Sequence, residues 1–211
     1  MATVLGVDEA GRGAVLGPLI VAGICVEEKE LQDLWGLGAR DSKQVAREER
    51  IALVRAIARS GARGRVVVIP ASAVDRENLT SLERDAVLAL VTALSPARVV
   101  VDTPVGPRAI PQFSDSLSFQ SGLPRVAITV VPKADQDHPA VAAASLLAKV
   151  VRDGYVVGLR RQYGDFGWGY PSEPKVRALL SAWLAEHGTF PSICRTRWRC
   201  VQDLLSPRLL E

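Results

Sequence analysis

The sequence has few of the residues that build disulfide frameworks, zinc sites or membrane spans. Three cysteines and two histidines occur in 211 residues, and no CxxC pair or zinc-ligand spacing is present. We therefore expect no disulfide scaffold and no structural zinc site, and the sparse cysteines favour a reducing, cytoplasmic compartment. No run of about 18 uncharged apolar residues occurs, so we expect no membrane-spanning helix. The first residues lack the basic segment of a signal peptide, so we expect none.

A strong net charge is also missing. The 26 basic and 23 acidic residues leave a net charge of +3, which does not by itself indicate a nucleic-acid-binding protein. The apolar fraction of 48% and the charged fraction of 23% argue against disorder and coiled coil. Basic residues do cluster locally, because residues 40–65 hold eight of them against three acids. This segment is either a solvated helix face or a surface that follows a phosphate backbone.

Hydrophobic periodicity predicts a mixed α/β core with a helical C-terminal extension. Five short apolar runs rich in β-branched residues predict strands. They lie at 3–8, 19–26, 65–69, 98–101 and 127–131. Apolar residues at helical spacing predict four helices. These lie at 46–60, 80–94, 139–163 and 174–187.

The sequence also predicts a helix start, a loop and the domain organisation. Thr80 and Glu83 have the spacing of a capping box at the start of the second predicted helix. Residues 103–126 are rich in proline, glycine and serine and predict a loop. No linker or repeat divides the chain. We therefore expect an α/β core at 1–164 and a helical extension at 165–211, packed as one structural unit.

Acidic residues stand at the ends of three predicted strands. Asp8 and Glu9 follow the first strand, and Asp102 and Asp135 follow the fourth and fifth. Taken singly, each has a simpler explanation, either a turn at a strand end or an acid near a helix N-terminus. Taken together, these hard oxygen ligands suit Mg²⁺ or Mn²⁺, because adjacent carboxylates repel strongly unless divalent ions lie among them. The pattern is typical of two-metal phosphoryl transfer, in which one ion activates a water and the other stabilises the leaving oxygen.

A glycine-rich tripeptide follows the first two acids closely. Gly11, Arg12 and Gly13 begin two residues after Glu9. Glycines let a backbone approach a ligand, and successive N–H groups together with an arginine can bind an anion. A tight turn between two strands explains the tripeptide equally well, so only its position beside the acids favours a functional role.

The order and content of these motifs resemble ribonuclease HII, the type 2 ribonucleases H. Five blocks carry the resemblance, in the form typical of archaeal enzymes and of the eukaryotic catalytic subunit. They are residues 6–26 (GVDEAGRGAVLGPLIVAGICV), 41–43 (DSK), 133–153 (KADQDHPAVAAASLLAKVVRD), 169–174 (GYPSEP) and 190–198 (FPSICRTRW). A GRG so soon after a strand-terminal Asp-Glu, followed later by the KAD block, is a highly specific combination.

The resemblance implies a ribonuclease H-like α/β fold, with a five-stranded mixed sheet flanked by helices and a helical C-terminal extension. It implies hydrolysis of the RNA strand of RNA–DNA hybrids and incision 5′ to single ribonucleotides in duplex DNA. The implied cofactors are two Mg²⁺ or Mn²⁺ ions, and the implied products are 3′-hydroxyl and 5′-phosphate ends. The implied partners are RNA–DNA hybrid and ribonucleotide-containing DNA, and we expect the chain to be a monomer.

The resemblance also implies which carboxylates bind metal and act in catalysis. They are Asp8, Glu9, Asp102 and Asp135, with Asp8 bridging both ions. Asp102 is placed by its strand position, because its surroundings (VVVDTPVG) are less motif-like than the other blocks. Asp115 and Asp137 are the weaker alternatives for its role.

A second group of residues is implied in substrate binding. The GRG match assigns Gly11, Arg12 and Gly13 to recognition of the ribose 2′-hydroxyl, the group that distinguishes RNA from DNA. Lys43 matches a phosphate contact. Tyr170 matches a tyrosine that packs on the adjoining deoxyribose, where a 2′-hydroxyl would clash.

The sequence departs from the family pattern in several places. Trp168 replaces a small residue, and it either packs under the loop or changes the position of Tyr170. Glu173 replaces the usual aspartate. Residues 206–211 (SPRLLE) lack the glutamine and paired aromatics with which some archaeal relatives bind sliding clamps, so we expect no clamp binding. We expect Asp153 to pair with Arg152 or a neighbouring loop.

Two other functions remain open at this point. A related fold can serve as a DNA nuclease or resolvase, and a catalytically silent subunit can bind RNA–DNA hybrids. The intact set of acids argues against the silent subunit. Cleavage of a duplex with one ribonucleotide, compared with cleavage of the same all-DNA duplex, discriminates the ribonuclease from the DNA nuclease or resolvase.

Overall fold

The computed structural model describes residues 2–38 and 45–205. Within them lie five strands: β1 (Thr3–Ala10), β2 (Leu19–Glu27), β3 (Arg63–Ile69), β4 (Arg98–Asp102) and β5 (Ile128–Val131). The α-helices of the same residues are α1 (Leu31–Gly36), α2 (Arg47–Arg59), α3 (Ala71–Arg76), α4 (Leu79–Leu94), α5 (Ile110–Ser121), α6 (Ala134–Asp137), α7 (Pro139–Tyr163), α8 (Pro174–His187) and α9 (Arg199–Gln202). Single 3₁₀ turns lie at Glu28–Glu30, Pro107–Ala109 and Arg125–Ala127.

The strands form one mixed sheet in the order β3-β2-β1-β4-β5. β1, β2 and β3 are antiparallel neighbours, whereas β4 runs parallel to β1 and β5 runs parallel to β4. The predicted five-stranded mixed sheet is therefore confirmed. The parallel half matters for function, because the carboxyl ends of β1, β4 and β5 meet at one edge of the sheet.

Helices cover both faces of the sheet. Leu5 and Val7 of β1 share an apolar core with α4 and α5, whereas Ile24 and Val26 of β2 share one with α1, α2 and α7. β1 and α7 approach so closely at Gly6 that a Cβ there would overlap the backbone of Ala140. This close contact fixes α7 directly over the strand that carries Asp8.

The residues after α7 pack against the loop that follows β1. Leu16 forms an isolated antiparallel bridge with Cys194, and the Arg195 N–H donates to the Val15 carbonyl oxygen at 2.8 Å. Val15 and Leu16 share a third apolar core with Phe166 and with residues of α8. The C-terminal segment therefore lies beside the GRG tripeptide. The boundary between the core and the extension, at residues 164 and 165, stays a prediction.

The predicted loop at 103–126 is wrong, because α5 occupies half of it. Pro111 lies in the first turn of α5, where its missing N–H costs nothing, and Gly122 ends the helix with φ of 73°. Ile110, Phe113 and Leu117 pack on the core at helical spacing. The serines between them conceal this stripe in the sequence.

The predicted capping box is also wrong. Asn78 is the N-cap of α4, and its side chain accepts a hydrogen bond from the Ser81 N–H at 3.1 Å. Thr80 therefore lies inside the first turn of the helix. Glu83 is free to turn toward the protein interior, where it is buried.

None of the three cysteines forms a disulfide. Cys25 and Cys194 are buried free thiols and Cys200 is an exposed one. Across 2–38 and 45–205, no helix combines the length and the apolar character needed to cross a bilayer.

Candidate active site

The parallel strands bring three acids together at one edge of the sheet. Val7 of β1 lies opposite Val101 of β4, so Asp8 and Asp102 are neighbours at the same end of their strands. Asp135 arrives from α6, which follows β5. One carboxylate oxygen from each of these three residues lies within 4.8 Å of the others. This acid trio has the spacing needed to hold a metal ion.

Asp8 is the most enclosed member of the trio. Its pKa is raised to about 6, chiefly by burial, with the neighbouring Asp102 adding to the rise. A hydrogen bond from Ser145, the Glu9 N–H at 2.7 Å and the charge of Lys149 act in the opposite direction. Ser145 and Lys149 lie one turn apart on α7, and Lys149 Nζ donates to Ser145 Oγ at 2.8 Å.

The electrostatics of the trio fit a divalent cation. Burial raises the pKa of Asp102, the Ala134 N–H at 3.3 Å opposes that rise, and Asp135 adds to it. Desolvated carboxylates that repel one another carry a cost that a cation among them would relieve. The donors are hard oxygens without histidine or cysteine, which suits Mg²⁺ or Mn²⁺ better than zinc.

Glu9 lies beside the trio rather than within it. Alternation along β1 directs Asp8 toward α7 and Glu9 toward α4. The pKa of Glu9 is raised well above its usual value by burial and then by Asp8, Glu83 and Asp102, and Arg12 opposes the rise. The four predicted carboxylates are thus three clustered acids and a fourth, Glu9, that points to the opposite face of β1.

The two alternatives for Asp102 lie elsewhere. Asp115 is exposed on α5 and pairs with Arg125 at 3.0 Å. Asp137 is exposed at the end of α6 and is not among the clustered acids. Asp102 is therefore the acid that the structure brings to Asp8 and Asp135.

The GRG tripeptide is held by buried arginines and a buried glutamate. Gly11 has φ of 88°, and a Cβ there would overlap the side chain of Arg152. Arg195 Nη1 donates to the Arg12 carbonyl oxygen at 2.9 Å, and Arg12 Nε donates to Glu83 Oε1 at 2.7 Å. Gly13 differs, because a Cβ there would meet nothing within 4 Å.

Tyr170 lies in a loop that is docked on the residues after GRG. The Gly169 carbonyl oxygen accepts from the Val15 N–H at 2.8 Å and from the Leu16 N–H at 3.2 Å. The Glu173 carboxylate accepts from the Trp168 N–H at 2.6 Å and from the Tyr170 N–H at 3.2 Å. The Tyr170 side chain remains exposed.

A family model described as Ribonuclease HII matches residues 5–201. The chain belongs to the ribonuclease HII family. The ribonuclease HII of Saccharolobus solfataricus is 36% identical over 202 residues, which cover 94% of this chain and 92% of that relative.

Two solved structures support the same assignment. The ribonuclease H2 from Pyrococcus horikoshii OT3 is 30% identical with a TM-score of 0.86, and the match covers 96% of each chain. The chain in the PCNA:RNase HII complex from Archaeoglobus fulgidus is 34% identical with a TM-score of 0.85, and the match covers 98% of each chain. The resemblance and the ribonuclease H-like fold are confirmed, and the chain is a ribonuclease.

Trp168 and Asp153 both lie against arginines in this ribonuclease HII chain. The Arg47 guanidinium lies 3.4 Å from the centre of the Trp168 ring, and that of Arg160 lies 5.5 Å from it. Asp153 pairs with Arg47 at 2.8 Å and with Arg50 at 3.4 Å, so its partners lie on α2 rather than at Arg152. Lys43 lies outside the described residues.

Sequence reasoning missed five residues that surround the predicted site residues. Four carry charges that are buried or partly buried, and one is a buried serine. They are Glu83, Arg152, Arg195, Ser145 and Lys149. Glu83 offered a signal, because it interrupts the apolar stripe that Val87, Leu90 and Leu94 form on α4.

Proposed function

We propose that this ribonuclease hydrolyses the RNA strand of RNA–DNA hybrids and incises 5′ to single ribonucleotides embedded in duplex DNA. Its products are a 3′-hydroxyl and a 5′-phosphate end. Such an incision would begin the removal of ribonucleotides left in DNA after replication.

One observation carries the proposal. Asp8 of the acid trio precedes the GRG tripeptide by three positions, and the loop of Tyr170 accepts hydrogen bonds from Val15 and Leu16, which follow the tripeptide closely. The segment from Asp8 to Leu16 therefore links groups suited to phosphodiester hydrolysis with groups suited to sugar recognition. A general nuclease needs only the first set of groups.

The acids are proposed to hold two Mg²⁺ or Mn²⁺ ions through Asp8, Asp102 and Asp135, with Glu9 completing the set. When bound, such ions activate a water and stabilise the leaving oxygen. Ser145 and Lys149 orient Asp8, because Ser145 donates a hydrogen bond to its carboxylate and Lys149 donates to Ser145. The Glu9 N–H also donates to Asp8 Oδ1, at 2.7 Å.

Recognition of the ribonucleotide is proposed to involve the backbone of Gly11, Arg12 and Gly13 together with the ring of Tyr170. The backbone N–H and carbonyl groups of the tripeptide can hydrogen-bond a 2′-hydroxyl, which both donates and accepts. Tyr170 is exposed and suited to pack on the sugar of the next nucleotide, where a deoxyribose fits and a ribose is too large. Lys43 is proposed to bind a phosphate.

The experiment compares a duplex containing one ribonucleotide with the same all-DNA duplex, each with Mg²⁺, Mn²⁺ or EDTA. We expect cleavage 5′ to the ribonucleotide with either metal and none with EDTA. Equal cleavage of both duplexes would instead support the DNA nuclease. Binding to both without cleavage under any metal condition would support the silent subunit.

Two further expectations concern partners and location. The relative from Archaeoglobus fulgidus occurs in a PCNA:RNase HII complex. We propose that this chain acts as a monomer in the cytoplasm and does not bind a sliding clamp. Gel filtration of the chain alone and with PCNA tests the oligomeric state and clamp binding, and co-elution with PCNA would contradict the expected lack of clamp binding.

A further inference from the structure

We propose that Glu83 is a positioning residue for Arg12, whose guanidinium it holds at Nε so that the terminal nitrogens can bind a phosphate of the substrate strand. This inference rests on the proposed function. It assigns a role to a residue of α4 that lies outside the acid trio, the GRG tripeptide and the Tyr170 loop.

Glu83 occupies a position that packing alone does not explain. It lies on the core-facing stripe of α4 with Val87, Leu90 and Leu94, and only 3% of its side chain is exposed. An apolar residue of similar size would fill this position without the cost of desolvating a carboxylate. Glu83 therefore has a role that depends on the charge of its carboxylate.

Among the described residues, the Glu83 carboxylate has one side-chain hydrogen-bond partner. Glu83 Oε1 accepts from Arg12 Nε at 2.7 Å, whereas Oε2 is buried without a hydrogen-bond partner in 2–38 and 45–205. A carboxylate that served to fix the core would engage both oxygens. Glu83 is instead aimed at a single atom of Arg12, across the 71 residues that separate them in sequence.

The pairing leaves the outer part of Arg12 available. Nε is the atom that binds Glu83, and within the described residues neither terminal nitrogen has a hydrogen-bond partner. The side chain is 41% exposed and follows Asp8 by four positions. The two terminal nitrogens are the pair that binds a phosphate side by side. Holding Nε also removes rotamer freedom that substrate binding would otherwise have to remove.

The backbone of the tripeptide is held by a different residue. Arg195 is fully buried, and it donates to the Arg12 carbonyl oxygen at 2.9 Å and to the Gly17 carbonyl oxygen at 3.3 Å. Gly11 packs against Arg152. Loss of Glu83 should therefore release the Arg12 side chain while the backbone that recognises the 2′-hydroxyl stays in place. This separation makes the inference testable.

The experiment uses Glu83→Gln, Glu83→Met and Arg12→Met in the full chain, with the duplex that contains one ribonucleotide. We expect each variant to raise KM by about tenfold, which corresponds to about 1.4 kcal/mol, and to leave kcat within about twofold. Asp85→Asn is the matched control, because it removes one charge from the same helix at an exposed residue that pairs with Arg84. We expect it to leave both parameters unchanged.

Salt dependence supplies the readout that a structural role would not move. Binding of the duplex is measured by fluorescence anisotropy in an Asp8→Asn background across a salt series. Loss of one phosphate contact should lower the slope of log K against log salt by about 1 in Arg12→Met and by a similar amount in the two Glu83 variants. The double variant Arg12→Met with Glu83→Gln should match Arg12→Met alone.

The outcomes separate this inference from the proposed function. If the unaltered chain does not discriminate the ribonucleotide duplex, the proposed function fails. If it does, and the Glu83 variants keep the parental KM and salt slope, the positioning role is overturned even if their melting temperatures fall. Glu83→Met guards against misfolding, because a methionine fits the apolar stripe without an unpaired carboxyl group.

Discussion

The side chain of Arg152 fills the space that a Cβ on Gly11 would need. Arg152 is itself buried, and its Nη2 atom donates to the Trp168 carbonyl oxygen at 2.9 Å. Its guanidinium lies 4.9 Å from the centre of the Tyr170 ring. One arginine of α7 thus touches both the GRG tripeptide and the loop of Tyr170, and it fixes the distance between the two.

Gly11→Ala should therefore damage the structure itself. The new Cβ meets Arg152, and φ of 88° is unfavourable for any residue with a side chain. We expect a loss of about 2 to 4 kcal/mol in the free energy of unfolding, together with loss of cleavage. Urea unfolding followed by fluorescence measures the first effect.

Gly13→Ala is the matched comparison, because a Cβ there meets nothing in the described chain. We expect parental stability with reduced cleavage of the single-ribonucleotide duplex, since the added methyl would lie on the surface proposed to contact the sugar. Parental activity in Gly13→Ala would contradict the role predicted for this glycine.

Asp8→Asn should abolish cleavage while largely sparing hybrid binding. The substitution keeps the shape of the side chain but removes the charge that the trio needs to hold a cation. Asp115→Asn is the control, because it removes one charge from an exposed acid on α5. Rates with Mg²⁺ and anisotropy with a labelled hybrid check the two parts, and full activity in Asp8→Asn would contradict the mechanism.

Addition of Mg²⁺ or Mn²⁺ should stabilise the folded chain. Burial and mutual repulsion raise the pKa of Asp8 to about 6, and a cation that binds only the folded trio relieves this cost. A concentration one hundred times the dissociation constant adds about 2.7 kcal/mol to the free energy of unfolding. Thermal melts with metal and with EDTA measure the shift. Equal shifts in the parent and in Asp8→Asn would place the bound ion elsewhere.

Trp168→Ala should lower stability more than activity. The guanidinium groups of Arg47 and Arg160 lie 3.4 Å and 5.5 Å from the centre of the ring. Such cation–π contacts add about 1 kcal/mol to the apolar burial that is lost. The backbone of Trp168 is held separately by Glu173 and Arg152, so Tyr170 should keep its place. Melting temperature and the cleavage ratio of the two duplexes check this. A changed ratio at an unchanged melting temperature would indicate that the ring contacts substrate.

The sequence predicted the parts of this molecule that depend on local pattern. The β-branched runs predicted all five strands. Of the four acids predicted near their ends, Asp8, Asp102 and Asp135 meet, whereas Glu9 lies beside them. Parallel strands made this possible, because their carboxyl ends lie at one edge of the sheet. The helix α5 was missed because serines interrupt its apolar stripe.

The partners of buried charges were not predictable in this way. Glu83 pairs with Arg12, and Arg152 reaches from α7 to Trp168. Both pairings depend on how α4 and α7 lie across the sheet, which no window of sequence contains. The capping box failed for a related reason, since Asn78 and Thr80 are both good caps and only the helix start decides between them.

Glu83→Gln should also change how stability depends on pH. Burial raises the pKa of Glu83 from 4.5 to about 7, although Arg12 and Arg195 oppose the rise. Because this pKa is higher in the folded state than in the unfolded chain, folding takes up a proton at pH values between the two pKa values. The stabilising contribution of that proton is lost as the pH rises toward 7.

A glutamine at position 83 does not titrate. The free energy of unfolding of Glu83→Gln relative to the parent should therefore increase between pH 5 and pH 7.5, by about 1 to 3 kcal/mol. Urea titrations in EDTA at four pH values measure the difference, with Asp85→Asn run in parallel. A difference that stays constant across this range would show that Glu83 remains ionised at pH 5.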